Sequence, residues 1–343
     1  MTMKDSPVII PDSDFIERFA DEKKRVKLFT KRPLSVDGHV DLPCFMMSRG
    51  IDKPLSELSD APLTLKTIIS TNTRLFCTAL HCEDSYNGPG SEARYEEVLN
   101  YTLSCLDTIT LVRKKEDLEL LDKEQDRVST ILLLENADFL ADDPEENIAR
   151  LQEDAIKVVG LTHMGRNRLA DGNGVDFADG ITDAGRHVIQ ILIKNHIIID
   201  TAHLHPNAFW QLMDLTETGV ICSHTGIQEI FKTPRNLDLD QAREVAERRG
   251  VIGITLNPEM LSPDQNVGLD TVFAHLDTVV QKFGPDVVGI GSDLGGFDKS
   301  PPELSGLEAL DRLEELLLSH GYDDQAIQAI RGHNWLRFFQ DRL

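Results

Sequence analysis

The stretch Thr130-Ile-Leu-Leu-Leu-Glu135 is an uninterrupted apolar run that ends in a carboxylate. Parallel strands that are covered by helices on one face and by packed side chains on the other are near-continuously apolar, whereas the strands of a sandwich alternate apolar and polar residues. The stretch therefore predicts a buried parallel strand of an α/β protein, with a reactive type of side chain at its carboxyl end.

Seven other short β-rich runs have the same character, and they alternate with amphipathic segments. The eight predicted strands cover residues 35–40, 75–81, 130–134, 156–162, 197–200, 219–223, 251–256 and 287–291. Eight strand–helix alternations predict a closed (β/α)8 TIM barrel. No repeat or proline-rich linker divides the chain, so we expect a single domain over residues 1–343, with residues 1–33 as an N-terminal extension that packs on the barrel.

Three outer helices are predicted from apolar residues at three- and four-residue spacing. They cover residues 92–123, 240–249 and 304–320. The histidines that fall on helices or turns are predicted to lie at the surface: His187, His196, His275, His320 and His333. His81, Glu83 and His205 lie near strand ends, and we interpret them as rim residues that make hydrogen bonds.

The composition indicates a folded, acidic protein. Of the 343 residues, 41% are hydrophobic and 27% are charged, which excludes a disordered or fibrous chain. The net charge is −23, from 58 acidic and 35 basic residues. Such an excess of negative charge repels phosphate backbones and anionic lipids, so we expect neither nucleic acid nor a membrane surface as a partner.

The five cysteines are odd in number and form no Cys-x-x-Cys pair. This pattern indicates reduced thiols rather than a disulfide framework or a thiolate zinc site. Residues 1–14 lack a basic region followed by an apolar stretch, and no apolar run approaches the roughly 20 residues that a membrane-spanning helix needs. We therefore expect a cytoplasmic protein. The sequence leaves both a monomer and a homodimer open.

Polar side chains follow six of the eight predicted strands, and barrel enzymes carry their reactive groups at the carboxyl ends of strands. In chain order these side chains are His39 and Asp41, Glu135, His163, His203, His224 and Asp293. Residues two apart on a strand share a face, so His39 and Asp41 can bind one cation together.

Inward acids and imidazoles at one barrel mouth need a neutralising partner, because buried charges are tolerated only when they are paired or coordinated. Arg235 is the one obvious cationic side chain near them in the pattern. A divalent cation would satisfy the remaining groups. Imidazole together with carboxylate favours zinc, with manganese, cobalt or iron as alternatives.

Seven short motifs occur in order along nearly the whole chain. They are Asp37-Gly-His-Val-Asp-Leu-Pro43, Leu161-Thr-His163 with Asn167, Asp200-Thr-Ala-His203, Ser223-His-Thr225, Arg235-Asn236, Gly289-Ile-Gly-Ser-Asp293 and Asn334-Trp-Leu-Arg337. In this order they resemble the renal or membrane dipeptidases, zinc metallopeptidases of the amidohydrolase superfamily. The chain departs from the family where Asn136 follows Glu135, because glycine is common there; the departure removes no proposed ligand.

The resemblance implies a centre of two divalent metal ions, most simply Zn²⁺. His39 and Asp41 would hold one ion, His203 and His224 would hold the other, and Glu135 would bridge the two. The implied activity is hydrolysis of the peptide bond of dipeptides, with L,D-dipeptides as a candidate subclass, by attack of a hydroxide shared between the ions.

The resemblance also implies three roles for residues that bind no metal. His163 matches the residue that helps to stabilise the developing oxyanion, and Arg235 matches the residue that faces the substrate carboxylate. Asp293 matches the residue that moves the proton from water to the leaving amine. These roles suit the chemistry of the side chains, since a guanidinium recognises a carboxylate through a rigid fork.

Two other functions stay open. The first is another amidohydrolase, acting on N-acyl amino acids or lactones. Such enzymes commonly begin with His-x-His and bridge their metals with a carboxylated lysine, whereas this chain has His39-Val-Asp41 and Glu135. The second is a non-catalytic barrel that binds a metal or a small ligand. The presence of both His163 and Asp293 argues against it, and a turnover assay would discriminate.

Overall fold

A computed structural model describes residues 33–124, 127–217, 219–264 and 267–343 of the protein. The predicted N-terminal extension, residues 1–33, lies outside the described residues apart from Pro33. A single domain over the whole of residues 1–343 therefore stays a prediction.

Eight parallel strands close into a barrel, and a ninth, two-residue strand lies beside them. In chain order the strands are β1 Ser35–Val40, β2 Thr73–His81, β3 Thr110–Leu111, β4 Ser129–Glu135, β5 Ile156–Gly160, β6 Ile198–Asp200, β7 Val220–Thr225, β8 Ile252–Ile254 and β9 Val288–Ile290. β2 pairs with both β1 and β4, which closes the circle, and β3 is the extra strand beside β4. The predicted (β/α)8 TIM barrel is confirmed, and each predicted strand end lies within two residues of the observed one.

Helices connect the strands and cover the outside of the barrel. In chain order they are α1 Leu42–Ser48, α2 Leu65–Ser70, α3 Ser91–Cys105, α4 Lys115–Lys123, α5 Pro144–Glu153, α6 Asp183–Lys194, α7 Pro206–Met213, α8 Leu239–Glu247, α9 Pro258–Leu261, α10 Leu269–Phe283, α11 Ala309–Ser319, α12 Asp324–Gln328 and α13 Asn334–Arg342. The predicted helices over 240–249 and 304–320 correspond to α8 and α11. Asp238 begins α8 with a capping box, in which it and Gln241 accept each other's backbone amides.

The predicted continuous helix over residues 92–123 is wrong. The chain forms α3 and α4 there, and β3 separates them. The amide of Thr110 donates to the Val128 carbonyl at 3.1 Å, and the amide of Val112 donates to the Thr130 carbonyl at 2.9 Å. Pairing with β4 satisfies these amides outside a helix, so tertiary contacts override a local apolar period that continues through the break.

Four of the five histidines predicted at the surface are exposed: His187, His196, His320 and His333. The prediction is wrong for His275, which is fully buried on α10. Its Nδ1 atom accepts from the Ile227 amide at 2.8 Å, and its Nε2 atom donates to the Leu261 carbonyl at 2.9 Å. Burial lowers the pKa of His275, so the neutral ring ties α10 to α9 and to the segment after β7.

The indole of Trp335 on α13 packs into the interior of the barrel. It belongs to a buried cluster with side chains from the amino-terminal parts of the strands, and its Nε1 atom donates to the Ile290 carbonyl at 2.9 Å. A Cβ atom at Gly38 or at Gly289 would lie 2.3 Å from an indole atom. Both positions therefore need glycine, because the indole fills the space that a side chain would take.

We expect Trp335→Ala to lower the free energy of unfolding by about 3–5 kcal/mol, since a fully buried aromatic side chain leaves a cavity that the surrounding strands cannot close. The matched control is Trp210→Ala, because Trp210 is 39% exposed on α7 and its loss should change stability little. Urea denaturation of both variants measures the effect. Equal, small losses in the two variants would contradict the packing role of Trp335.

Strand register brings the carboxyl ends of neighbouring strands to one level. His81 on β2 lies opposite Glu135 on β4, Glu135 lies opposite Gly160 on β5, and Gly160 lies opposite Asp200 on β6. On β4, the side chains of Ile131 and Leu133 belong to the interior cluster. Glu135 continues that face, because residues two apart on a strand point the same way. The polar residues at the strand ends therefore lie together at the mouth of the barrel.

Candidate functional site

The eight residues proposed from the sequence meet at the carboxyl-terminal mouth of the barrel. They are His39, Asp41, Glu135, His163, His203, His224, Arg235 and Asp293. The imidazoles form a connected group, with ring centroids 3.8 Å apart for His39 and His224, 5.0 Å for His203 and His224, and 4.5 Å for His163 and His203. Side chains separated by up to 254 positions in the sequence therefore share one small volume.

The first group of candidate ligands comes from the end of β1. The Nε2 atom of His39 lies 3.2 Å from Oδ2 of Asp41, and both side chains are buried. Ligand atoms of these two residues and of Asp293 all lie within 4.8 Å of one another. Burial opposes a charge on His39, but the neighbouring carboxylates, Asp41 first, outweigh it and raise the pKa of the ring to about 10. The group therefore favours a positive charge at this point.

The second group comes from β4, β7 and the loop after β6. The Nε2 atoms of His203 and His224 lie 3.1 Å apart, and Oε1 of Glu135 lies 2.9 Å from Nε2 of His203. Burial lowers the pKa of both rings well below the usual range, so both are neutral. Two neutral rings then direct ring nitrogens at the same point.

This donor set fits divalent cations. Two imidazole nitrogens that each lie roughly 2.0–2.1 Å from a shared zinc ion are about 3.0–3.4 Å apart in a four-coordinate site, which the His203–His224 spacing matches. Ligand atoms of His39, Glu135 and His224 also lie within 4.8 Å of one another. Glu135 thus stands between the first group and the second, where one carboxylate can serve both.

Three residues of the site or next to it have a left-handed backbone although none is glycine. They are Asn136, His203 and Asp293, with φ values of 68°, 66° and 64°. Such conformations are strained for non-glycine residues and persist where surrounding contacts hold them. The Asp293 amide donates to the His39 carbonyl at 3.0 Å, and Nδ2 of Asn136 donates to the Cys82 carbonyl at 2.7 Å. The positive φ also explains why glycine suits the position of Asn136.

His163 is oriented by a carboxylate that the sequence analysis did not select. Oδ2 of Asp84 lies 3.3 Å from Nδ1 of His163 and also accepts the Gly165 amide at 2.9 Å. Burial lowers the pKa of His163, but the hydrogen bond to Asp84 and the charge of Glu135 outweigh it, so the net shift is upward. Asp84 follows β2 by three positions, and that position after a strand end was the signal that could have identified it.

Arg235 lies half-buried on the loop after β7, with Nη2 donating to Nε2 of His203 at 3.1 Å. Asn236 braces this loop. Its Oδ1 atom accepts the Gly226 amide at 3.0 Å, and its Nδ2 atom donates to the Met260 carbonyl at 2.8 Å. The buried amide of Asn236 therefore holds the guanidinium of Arg235 beside the candidate metal ligands.

Asp293 lies just beyond β9, and its Oδ1 atom is 4.0 Å from Nε2 of His224. Its Oδ2 atom accepts Nδ2 of Asn257 at 2.8 Å. Burial raises the pKa of Asp293 well above the usual range, and the nearby charge of Asp41 raises it further. Asn257 was not selected from the sequence, although it follows the seventh predicted strand directly.

His81 also reaches the mouth, beyond the rim position that the sequence analysis gave it. Its ring centroid is 4.6 Å from that of His163, and its Nδ1 atom is 3.8 Å from Sγ of Cys44. His205 and Glu83 make rim contacts: Nδ1 of His205 accepts the Asn207 amide at the start of α7, and Glu83 binds Arg94. Leu75, Cys77 and Ala79 of β2 belong to the interior cluster and His81 continues that face, so the two-residue period of the strand was the signal for His81.

The fold and the site together define a (β/α)8 barrel with a candidate divalent-metal centre at its catalytic mouth. Residues 23–342 match the family model "Membrane dipeptidase (Peptidase family M19)". The chain therefore belongs to the membrane dipeptidase family, peptidase family M19. The family is named for dipeptidase activity.

Two curated relatives and one solved structure show the extent of the likeness. An uncharacterized protein in the pqqA 5' region of Klebsiella pneumoniae is 29% identical over 170 residues, which is 48% of this chain and 62% of that protein. An uncharacterized dipeptidase, C3A11.10c, of Schizosaccharomyces pombe is 24% identical over 93% of this chain and 83% of its own length. The chain thus spans less than two thirds of the first relative and most of the second.

The solved structure is a metallopeptidase from Rhodobacter sphaeroides, liganded with a phosphinate mimic of the dipeptide L-Ala-D-Ala. It superposes with a TM-score of 0.78 at 20% identity and covers 91% of this chain and 99% of its own. The likeness supports the barrel fold. Within the described ranges, no helix combines the length and the apolar character needed to cross a bilayer.

Proposed function

We propose that the protein hydrolyses the peptide bond of free dipeptides at a centre of two divalent ions, most simply Zn²⁺. The observation that carries the proposal is the convergence of the Nε2 atoms of His203 and His224, 3.1 Å apart, beside the carboxylate of Glu135. Neutral imidazoles and carboxylates that meet in this way form a ligand set for a divalent cation rather than a set of mutual hydrogen bonds.

The proposed ligands divide into two pairs and a bridge. His39 and Asp41 would hold one ion, His203 and His224 would hold the other, and Glu135 would serve both. The position of Glu135 supports this division, because its carboxylate lies 2.9 Å from His203 and its ligand atom lies within 4.8 Å of those of His39 and His224. When bound, the ions would supply Lewis acidity for the peptide carbonyl and lower the pKa of the attacking water.

Three side chains complete the proposed reaction. Arg235 binds the free carboxylate of the dipeptide, because its guanidinium lies half-buried at the mouth. His163 donates a hydrogen bond to the oxygen on which negative charge develops, and Asp84 holds its ring for that contact. Asp293 accepts the proton of the attacking water and passes it to the leaving amine, while Asn257 fixes one of its oxygens.

We extend the proposal in three respects. The first is that the substrates include L,D-dipeptides, and the second is that the protein is cytoplasmic. The third is that a homodimer is the assembly to test. The L-Ala-D-Ala mimic bound by the Rhodobacter sphaeroides protein supports the first. Five free cysteines support the second, since thiols persist in reducing compartments. The net charge of −23 continues to favour small-molecule partners over nucleic acid.

The test is a substrate panel on protein of known metal content. The panel contains unblocked L,L- and L,D-dipeptides, N-acyl amino acids and lactones. We expect two metal equivalents and cleavage of unblocked dipeptides, with loss of turnover on chelation and recovery when Zn²⁺ is added back. Cleavage of lactones or N-acyl amino acids alone would favour another amidohydrolase activity, and absence of any turnover would favour a non-catalytic metal-binding barrel.

Arg235→Met is expected to raise KM for dipeptides with a free carboxylate. A hydrogen bond to a charged group contributes roughly 1.5–3 kcal/mol, which corresponds to about 10- to 100-fold in KM. The control is Arg243→Met, because Arg243 is an exposed residue of α8 that pairs with Asp240. Steady-state kinetics with a dipeptide and with its C-terminal amide measure the effect. A variant that discriminates between the two as strongly as the wild type would refute the role of Arg235.

A further inference from the structure

Ser223 on β7 lies between two proposed metal ligands that belong to different ions. The Oγ atom of this fully buried residue is 3.1 Å from Nδ1 of His39 and 2.9 Å from Nδ1 of His224. Both rings point their other nitrogen toward the candidate metal centre, since Nε2 of His39 faces Asp41 and Nε2 of His224 faces His203. One hydroxyl therefore touches the outward nitrogen of a ligand from each pair.

The hydrogen positions follow from the chemistry of the groups. An imidazole that binds a cation through the Nε2 lone pair is neutral and carries its hydrogen on Nδ1, which must then find an acceptor. A serine hydroxyl has two acceptor lone pairs and one hydrogen to donate. Ser223 can accept from His39 and from His224 at once, and its own hydrogen is then directed elsewhere. Among the described residues, no second acceptor is found for either Nδ1 atom.

Asp200 at the end of β6 holds the backbone of Ser223. Its Oδ1 atom already accepts the Ser223 amide at 2.8 Å and the Ala202 amide at 3.0 Å. Burial raises the pKa of Asp200, and hydrogen bonds from the hydroxyl and the amide of Ser223 oppose that rise. A backbone held in this way keeps the Oγ atom of Ser223 within 3.1 Å of Nδ1 of His39 and 2.9 Å of Nδ1 of His224.

The backbone of Ser223 packs tightly against β8 and against the residue that follows β9. A Cβ atom at Gly253 on β8 would lie 1.9 Å from the Ser223 carbonyl oxygen, and one at Gly291 after β9 would lie 1.7 Å from it. Only glycine permits such an approach, so the sheet presses directly on the Ser223 peptide from that side. The hydroxyl is therefore positioned by the barrel itself.

We propose that Ser223 is a shared positioning residue, which fixes the tautomer and the orientation of one ligand of each ion through a single hydroxyl. The inference rests on the two-ion centre proposed above. Its consequence is that the two ions depend on the same hydrogen-bond acceptor, so loss of the hydroxyl weakens both binding sites together. Outer groups of this kind typically contribute about 10- to 100-fold in metal affinity.

The experiment is a Zn²⁺ titration of metal-depleted wild type, Ser223→Ala and Ser129→Ala, with a competing chelator to measure each dissociation constant. Ser129 is the matched control, because it is equally buried but lies at the start of β4, where its hydroxyl accepts from Arg127. We expect both dissociation constants to rise about 10- to 100-fold in Ser223→Ala and to stay at wild-type values in Ser129→Ala. The stabilisation of Ser223→Ala by Zn²⁺ in thermal unfolding should shrink in parallel, which a purely structural role would not produce.

Wild-type affinity for both ions in Ser223→Ala would overturn the proposal, and so would weakening of one ion alone. A second measurement does not depend on the variant: in wild type labelled with ¹⁵N-histidine and loaded with Zn²⁺, His39 and His224 should both show a hydrogen on Nδ1. Coordination through Nδ1 in either ring would overturn it as well.

The titration reports on Ser223 and the dipeptide assay reports on the proposed function, so wild type that binds two ions but cleaves no dipeptide would reject the function alone. Wild type that binds fewer than two ions would reject the shared role of Ser223.

Discussion

Asp293→Asn is expected to keep both metal ions and to lower kcat by about 10²- to 10⁴-fold, the range that a positioned general acid–base group contributes. The amide has the shape of the carboxylate but cannot accept a proton from water. Its oxygen can still accept from Nδ2 of Asn257, which lies 2.8 Å from the native carboxylate. The structure of the mouth should therefore survive while proton transfer is lost. Steady-state kinetics together with metal analysis test this expectation.

The matched control for this variant is Asp298→Asn. Asp298 lies five positions further along the same loop, its side chain is 83% exposed, and it pairs with Arg49. Removal of its charge should leave kcat near the wild-type value. If Asp293→Asn retained full turnover, the proton-transfer role would belong to another group. If it lost its metal ions instead, Asp293 would be a ligand rather than the proton carrier.

Glu135→Gln is expected to lower metal occupancy and turnover together. A neutral amide in place of the bridging carboxylate removes the charge that both ions would share, so the loss in affinity should reach at least the roughly 10- to 100-fold seen for outer-shell groups. The side chain of Glu135 is buried, and its Oε1 atom lies 2.9 Å from Nε2 of His203, so solvent water has little access to screen the loss of the carboxylate. Elemental analysis after dialysis and kinetics at increasing Zn²⁺ measure the effect.

Added Zn²⁺ separates the two variants. Turnover of Glu135→Gln should recover in part at high Zn²⁺, because its defect is in binding, whereas turnover of Asp293→Asn should not. The control is Glu145→Gln, since Glu145 is an exposed residue at the start of α5. Full metal content and full activity in Glu135→Gln would remove Glu135 from the centre.

Much of the barrel could be predicted from the sequence, because strands buried on both faces must be apolar along their whole length. The run before Glu135 became β4, and the other seven predicted strands appear within two residues of their expected ends. The break at residues 106–114 could not be predicted, since the amides of Thr110 and Val112 find their acceptors on a strand that comes later in the chain. The burial of His275 was missed for the same reason, because both partners of its ring are distant in sequence.

The candidate ligands could be proposed from the sequence because a cation requires donor side chains, and the residue types that follow each apolar run can be identified directly. Their supporting residues could not. Asp84 contacts His163, Asn257 contacts Asp293, and Ser223 contacts His39, and each of these contacts spans at least 36 positions. Only the contact of Ser223 with its neighbour His224 is local. Nothing in a local pattern shows which of many polar residues will make such a contact.

By itself, then, the sequence determined that eight parallel strands would enclose an apolar interior and would present acids and imidazoles at one end, because burial and strand periodicity are local properties of the chain. Only the tertiary structure decided which nitrogen of each ring faces inward and which hydroxyl lies within hydrogen-bond distance of the other nitrogen. These choices depend on the register between strands and on closure of β2 against β4. Hydrogen-bond geometry is set by distances between atoms, and chain closure fixes those distances.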